Sequence, residues 1–152
     1  MSEQQQPVFS IEKIYVKDLS VESPNSPHCF LERDPAQIEI QLGTSGTAIG
    51  EGTFEVVLKV TVTAKIGDKT QFLAEVDQAG IFVIQGVPDE EVEPIVAVAC
   101  PNILFPFARE TISDAVSRAG FPPVLLAPVN FENLYRQRLE AEQKGPHEVP
   151  IQ

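Results

Sequence analysis

The sequence predicts an α+β fold: a four-stranded antiparallel meander sheet, then a long helix and a shorter C-terminal helix. Three observations predict it. As far as residue 84, apolar residues recur at alternate positions, the period of a half-buried strand. After Pro88 the apolar spacing changes to three and four, the period of a helix. The strand-like stretches are separated by short turn-rich breaks, which join strands as antiparallel neighbours.

The first strand covers residues 9–21. Phe9, Ile11, Tyr15, Leu19 and Val21 hold odd positions and Asp18, Ser20 and Glu22 even ones, with Ile14 and Val16 blurring the middle. "SPNSPH" (residues 23–28) is a break. "AQIEIQL" is the second strand, with Ile38, Ile40 and Leu42 on one side, and residues 43–52, "GTSGTAIGEG", are expected to be a glycine-rich connection. "TFEVVLKVTVTAK" is the third and clearest strand. Phe54, Val56, Leu58, Val60, Val62 and Ala64 share one face; Glu55, Val57, Lys59, Thr61, Thr63 and Lys65 share the other. "IGDKT" carries a hairpin signal. "QFLAEVDQAGIFVI" is the fourth strand, with Gly80 as a bulge or a point of close approach.

"DEEVEPIVAVAC" predicts a short helical turn. The long helix is "PNILFPFARETISDAVSRAG", with Asn102 as N-cap and Pro106 tolerated near the start. Its apolar stripe is Leu104, Ala108, Ile112, Ala115, Val116 and Ala119, and Gly120 followed by two prolines ends it. "FPPVLLAPV" is too proline-rich for a helix and reads as an extended apolar segment. The last helix, "NFENLYRQRLEAEQK", is capped by Asn130 and aligns Phe131, Leu134, Tyr135 and Leu139. Residues 1–144 form one domain by this reading, and residues 145–152 a mobile tail.

The 152 residues carry 22 Asp and Glu against 11 Lys and Arg, a net charge of −11. That excess disfavours nucleic acid, which needs clustered cations on phosphate. The N-terminus lacks the basic and apolar regions of a secretory signal, and no apolar run is expected to approach membrane-spanning length. Two cysteines do not make a disulfide framework. A reducing, cytoplasmic setting and no insertion into a membrane are expected.

Candidate chemistry is sparse. The glycine-rich segment lacks the Lys-Ser/Thr ending of a phosphate cradle. Cys29 follows His28 directly, and adjacent residues on extended chain point apart, so no base stands beside the thiol. His28, Cys29, Cys100 and His147 have no paired spacing of zinc ligands. No catalytic residue, cofactor or metal is therefore assigned. Apolar side chains exceed what one sheet covered on one face hides. They read either as ordinary core or as subunit interfaces with an exposed groove. The alanine-bearing stripe Leu104, Ala108, Ile112, Ala115 and Ala119 suits a subunit interface. An enzyme of helix-on-sheet type, such as a hot-dog-like thioesterase, would instead use Glu110 or Asp114 near a helix N-terminus.

Five blocks carry a family resemblance: "IYVKDLSVESPNSPHCF", "FEVVLKVTVTA", "QAGIF", "CPNILFPFARETISDAVSRAGFP" and "LAPVNFENLY". In order, and over nearly the whole chain, they resemble SecB, the bacterial protein-export chaperone family. The resemblance implies a cytosolic homotetramer, a dimer of dimers, which holds unfolded precursors without ATP and passes them to the translocation ATPase SecA. It places the "CPNILFPFARE" stretch where the long helix begins. It implies an acidic sheet surface at Asp18, Glu22, Leu73 and Glu75 that receives the basic, zinc-bearing tail of SecA; the zinc belongs to the partner. It also implies a long apolar client groove, matched here by Ile38, Ile40, Leu42, Leu126, Phe131 and Leu134. A SecB-like chaperone of a toxin–antitoxin pair is the neighbouring alternative.

Overall fold

In the computed structural model, which describes residues 6–144, the chain forms β1 (Val8–Glu22), β2 (Gln37–Gly50), β3 (Thr53–Ile66), β4 (Lys69–Gln85), α1 (Asp89–Pro94), α2 (Cys100–Arg118) and α3 (Phe131–Lys144). The four strands make one antiparallel sheet in the order β1-β4-β3-β2. The meander holds for β2, β3 and β4. β1 departs from it and pairs with β4, which gives a Greek-key order. The physical reason is the long connection, residues 23–36. It includes a 3-10 helix, His28–Leu31, and is long enough to cross the end of the sheet.

β1 explains its own blurred pattern. Two register shifts against β4, at Ile11/Lys13 and Val16/Asp18, each insert an extra residue. Between them the parity reverses. Ile14 and Val16 face inward and Tyr15 faces outward, while Leu19 and Val21 return to the inner face. Gln78 lies beneath this stretch, 2 % exposed, and its Nε2 donates to the carbonyl of Tyr15 at 3.2 Å. Thr111 Oγ1 donates to Gln78 Oε1 at 3.2 Å. One buried amide thus ties the irregular edge strand to the helix.

The glycine-rich connection is corrected. Residues 43–50 continue β2 paired with β3, with one register shift between Ala48 and Gly50, and the chain turns at Glu51 and Gly52 instead. Pairing satisfies the backbone donors and acceptors that a loop would leave to water. The small residues serve packing: a Cβ on Gly46 would collide with the Val96 side chain. Gly80 is a point of close approach, since a Cβ there would lie 2.8 Å from Phe82 and 3.1 Å from Leu104.

The helical part is one rod of 30 residues, Asp89–Arg118, in which a π turn, Ile95–Ala99, joins α1 to α2. The short turn and the long helix expected separately are continuous, so Asn102 is no N-cap but an exposed interior residue. The π turn absorbs the mismatch: Cys100 N–H donates to Ile95 O, five residues back, just before Pro101, which has no N–H to give. By length and composition this rod is apolar enough to cross a membrane. Its prolines and scattered polar residues hide that length in the sequence. In the fold, the stripe of Leu104, Phe105, Ala108, Ile112 and Val116 is spent on the sheet. A Schellman cap ends the rod: Gly120 N–H donates to Ser117 O and Phe121 N–H to Val116 O, with Gly120 left-handed at φ 98°. Asn130 Oδ1 accepts from Asn133 N–H at 2.9 Å and caps α3, as the sequence predicts.

Between rod and sheet lies the core. Val56, Leu58, Val60, Val62, Ala74, Val76, Phe82, Leu104 and Ile112 have no or almost no exposed surface. Each large side chain buried there contributes about 1.5–3 kcal/mol against staying in water. The parity expected for β3 is met at Val56, Leu58, Val60, Val62 and Ala64.

Candidate functional site

The sheet offers two different surfaces. The inner face is covered by the rod over β3, β4 and part of β1; β2 meets the rod near Gly46 and Val96, and its margin around Ile38 and Ile40 stays open. Ile38 and Ile40 pair with Ala64 and Val62, so they belong to the inner face, yet they are 45 % and 44 % exposed. They line an apolar cleft of about 780 Å³ with Phe30, Phe72, Phe121, Pro122, Pro123, Val124 and Leu125. Phe121 sits between Phe30 and Phe72, ring centroids 5.0 and 4.9 Å away, and closes one end. Further along, Leu42, Phe131, Leu134 and Tyr135 line a smaller cleft of about 270 Å³.

Sequence reasoning placed six residues in this groove. The structure sets Ile38 and Ile40 in the larger cleft and Leu42, Phe131 and Leu134 in the smaller. Leu126 is corrected: it is 5 % exposed and pinned in the core, while its neighbour Leu125 is 81 % exposed. Adjacent residues on an extended chain point apart, and the run "VLL" gives no sign of which one faces in. Phe131 is a wall rather than a free surface, 3 % exposed and edge-on to Phe105 at 6.0 Å. Phe30, Phe121 and Leu125 were missed. Their signal was the apolar content of two segments that are neither helix nor strand.

The expected subunit interface is also corrected. Leu104, Ala108 and Ile112 are fully buried, Ala115 is 8 % exposed, and Ala119 packs against the same core. Side chains with no surface in the single chain have none to offer a second, which leaves only the partly buried Ala119 of the five. The stripe faces the sheet, because a core helix and an interface helix have the same period. The apolar groups left exposed lie elsewhere: Phe9, Ile11, Val16 and Leu19 on β1, and Phe107 on the rod, each 43–46 % exposed.

The outer face is polar, and pairing sets its rows. From β2 to β1, one row reads Gly43, Lys59, Asp77, Asp18; the next reads Gln41, Thr61, Glu75, Ser20; the third reads Glu39, Thr63, Leu73, Glu22. Asp18, Glu22, Leu73 and Glu75 are therefore brought together on one surface. These rows hold five carboxylates and a single ammonium. Thr61 Oγ1 donates to Glu75 Oε2 at 2.7 Å and fixes that carboxylate. Lys59 Nζ lies 3.0 Å from Asp77 Oδ1 and 3.8 Å from Glu75 Oε1. The Asp77 carboxylate, with Glu75 and Asp18 behind it, holds the Lys59 ammonium above its ordinary range. Asp77 Oδ1 has no aligned hydrogen bond among the described residues, so its contact with Lys59 is ionic. Asp77 and Lys59 were not singled out from sequence, although they share the parity of Glu75.

Beside these rows, Tyr15 donates a short hydrogen bond to Glu55 Oε2, and Lys17 Nζ contacts both Glu55 oxygens at 2.9 and 3.0 Å. The hydrogen bonds from Tyr15 and then Lys17 hold Glu55 below the usual carboxylate range. Burial, and then Glu55, push the Tyr15 phenol up to about 12.

The residues weighed for catalysis stand apart. Glu110 and Asp114 are exposed on the rod, Asp114 pairing with Arg118 at 3.0 Å. The rod begins at Asp89, so both residues lie far from the N-terminus of their own helix. Cys29 and Cys100 are buried free thiols, and burial pushes the Cys100 thiol up to about 12, which keeps it protonated and unreactive. No group of three or more potential metal ligands gathers among the described residues. His147, and the mobile tail expected at 145–152, lie outside them.

Comparison with known proteins agrees with this geometry. A family profile described as preprotein translocase subunit SecB matches residues 2–142. The chain is 66 % identical to the protein-export protein SecB of Dechloromonas aromatica, over all of both chains. It is 63 % identical to that of Chromobacterium violaceum, covering 95 % of this chain and 99 % of the relative. Among solved structures it is similar to a SecB-like chaperone of Mycobacterium tuberculosis in complex with an antitoxin peptide. That match has a TM-score of 0.66 and 16 % identity, and covers 80 % of this chain and 90 % of the other. At that identity the match shows the fold alone.

Proposed function

The chain belongs to the SecB family of protein-export chaperones, and from that premise we propose that its apolar cleft holds precursor proteins unfolded while its acidic face hands them to SecA. One observation supports the division most directly: a wide apolar cleft opens on one face of the sheet and five carboxylates gather on the other. The family is one of chaperones rather than enzymes, so catalysis by Glu110 is set aside.

A holdase must accept many sequences. It needs broad apolar contact and few side-chain-specific hydrogen bonds. Such contact yields about 25 cal/mol per Å² of apolar area buried. A client spanning several subunits gains further, because later contacts are intramolecular. Assembly as a cytoplasmic homotetramer is part of the proposal. The edge of β1 is unpaired in the single chain, and an open edge beside exposed Phe9, Ile11, Val16 and Leu19 invites a second subunit. Four chains would carry 4 × (−11) = −44 formal charges, which helps keep so apolar a particle in solution. The basic, zinc-bearing tail of SecA is the proposed ligand of Asp18, Glu22, Leu73 and Glu75. The high identity to export proteins favours this role over service to a toxin–antitoxin pair.

The test combines native mass with capture of an unfolded precursor. A tetramer that retains a reduced precursor, and releases it to SecA in the absence of ATP binding by this chain, is the expected result. A monomer at micromolar concentration, or no retention, would sink the reading.

A further inference from the structure

Lys59 is the single cation in the three rows of the outer face, and it stands in the first of them between Gly43 and Asp77, with Asp77 and Glu75 within 4 Å. The carboxylate of Glu75 has a second anchor, Thr61 at 2.7 Å, that does not depend on the lysine. The lysine itself is held through charge by Asp77 and Glu75. Its side chain is half exposed, and its ion pair with Asp77 has no aligned hydrogen bond. Its β2 neighbour is Gly43, where a Cβ would meet nothing within 4 Å. The space above that glycine is a shallow cleft of about 340 Å³ that reaches Lys17, Ser45 and Val57. Lys17, exposed to the same extent, differs in donating hydrogen bonds to both oxygens of a single carboxylate.

We propose that Lys59 is a tethered counter-ion of the acidic docking surface. It occupies the position between Glu75 and Asp77 that a cation of a basic peptide takes, and swings over Gly43 when displaced. This inference rests on the reading of the outer face as the docking site for a basic segment. Its consequence is selectivity. A weakly basic segment does not replace the resident ammonium with enough charge to gain by binding, whereas a segment with clustered cations does. Displacement uncovers the buried Oδ1 of Asp77, so it is favourable only when an incoming cation takes over the contact that Lys59 gives up.

The experiment is calorimetry on the full chain with synthetic peptides carrying two or three lysines among neutral residues. The variants are Lys59→Met, Gly43→Val and Glu75→Gln. At about 0.01 M salt, Lys59→Met is expected to bind the three-lysine peptide about three- to tenfold more tightly than the parent. At about 1 M salt, where screening is nearly complete, the gain should vanish. The two-lysine peptide should bind Lys59→Met about as the three-lysine peptide binds the parent. Gly43→Val, which fills the space the lysine needs, should weaken binding, while Glu75→Gln should weaken it more. If Lys59→Met binds no more tightly while Glu75→Gln still weakens binding, the counter-ion is overturned and the docking face stands. If neither variant changes affinity, the docking face is overturned and Lys59 with it. If Gly43→Val binds as tightly as the parent, the swing of the lysine is overturned.

Discussion

The two faces of the sheet are made by alternate residues of the same strands, yet they follow different physics. On β4, Phe72, Ala74, Val76 and Phe82 point inward and are buried, while Leu73, Glu75 and Asp77 point outward and stay partly exposed. The inner face works through volume and apolar area, so it is sensitive to shape. The outer face works through charge, so it is sensitive to sign and salt and tolerant of shape. Under the proposed function, parity separates holding a client from addressing a partner, and each is open to change without the other.

The separation is tested hardest in the core. Leu104→Ala or Ile112→Ala removes a fully buried side chain and should cost about 2–5 kcal/mol of stability. On the outer face, Asp18→Ala should shift stability by less than about 0.5 kcal/mol. Denaturant unfolding of both variants checks the contrast. Equal losses would show that the faces are not independent.

Gln78 is the place where the faces meet, since it holds the irregular stretch of β1 whose parity aims Asp18 outward. Gln78→Leu leaves the Tyr15 carbonyl and Thr111 hydroxyl without their partner. The expected cost is about 1–3 kcal/mol, with faster amide exchange at residues 14–18. Exchange unchanged from the parent would remove Gln78 from this role.

Binding sharpens the comparison further. Glu75→Lys reverses a charge beside Asp77 and Asp18 and should weaken a basic tail peptide about tenfold or more at low salt, with client affinity intact. Ile40→Ala with Leu42→Ala should do the reverse: about three- to tenfold weaker capture of an unfolded protein, and tail-peptide affinity unchanged. Titration calorimetry with both ligands on both variants reads all four values. A variant that loses both affinities contradicts the separation.

The smallest effect is in alkali. The phenol of Tyr15 is raised above its ordinary value to about 12. Its contribution to stability is therefore complete below pH 10 and is lost as pH rises from 10 to 12, as ionisation is favoured in the unfolded chain. A late absorbance step near pH 12 that disappears in Tyr15→Phe is the expected observation. Its persistence in that variant would assign the step elsewhere.

Much of this was legible in the residues. Strict alternation in β3 makes its inner face unambiguous, because a one-residue slip would expose five aliphatic side chains. Gly120 and Asn130 mark helix ends through local hydrogen bonds alone, and the same parity gathers Glu75 with Leu73. These are short-range effects, fixed by neighbours within a few positions. What the chain did not show on its own depends on remote partners. The 43–50 segment becomes strand because β3 lies beside it, not because its residues favour extension. The stripe of α2 lies on the sheet rather than on another subunit because only the fold decides which apolar surface is covered first. Asn102 lies inside a continuous rod because a π turn carries the helix past Pro101. Leu125 is exposed and Leu126 buried because the core has room for one of two identical side chains. The sequence by itself determined element types, caps and face parity. Tertiary structure alone decided the β1–β4 pairing, the reach of the rod and the choice between groove and core, since those depend on contacts between residues far apart in the chain.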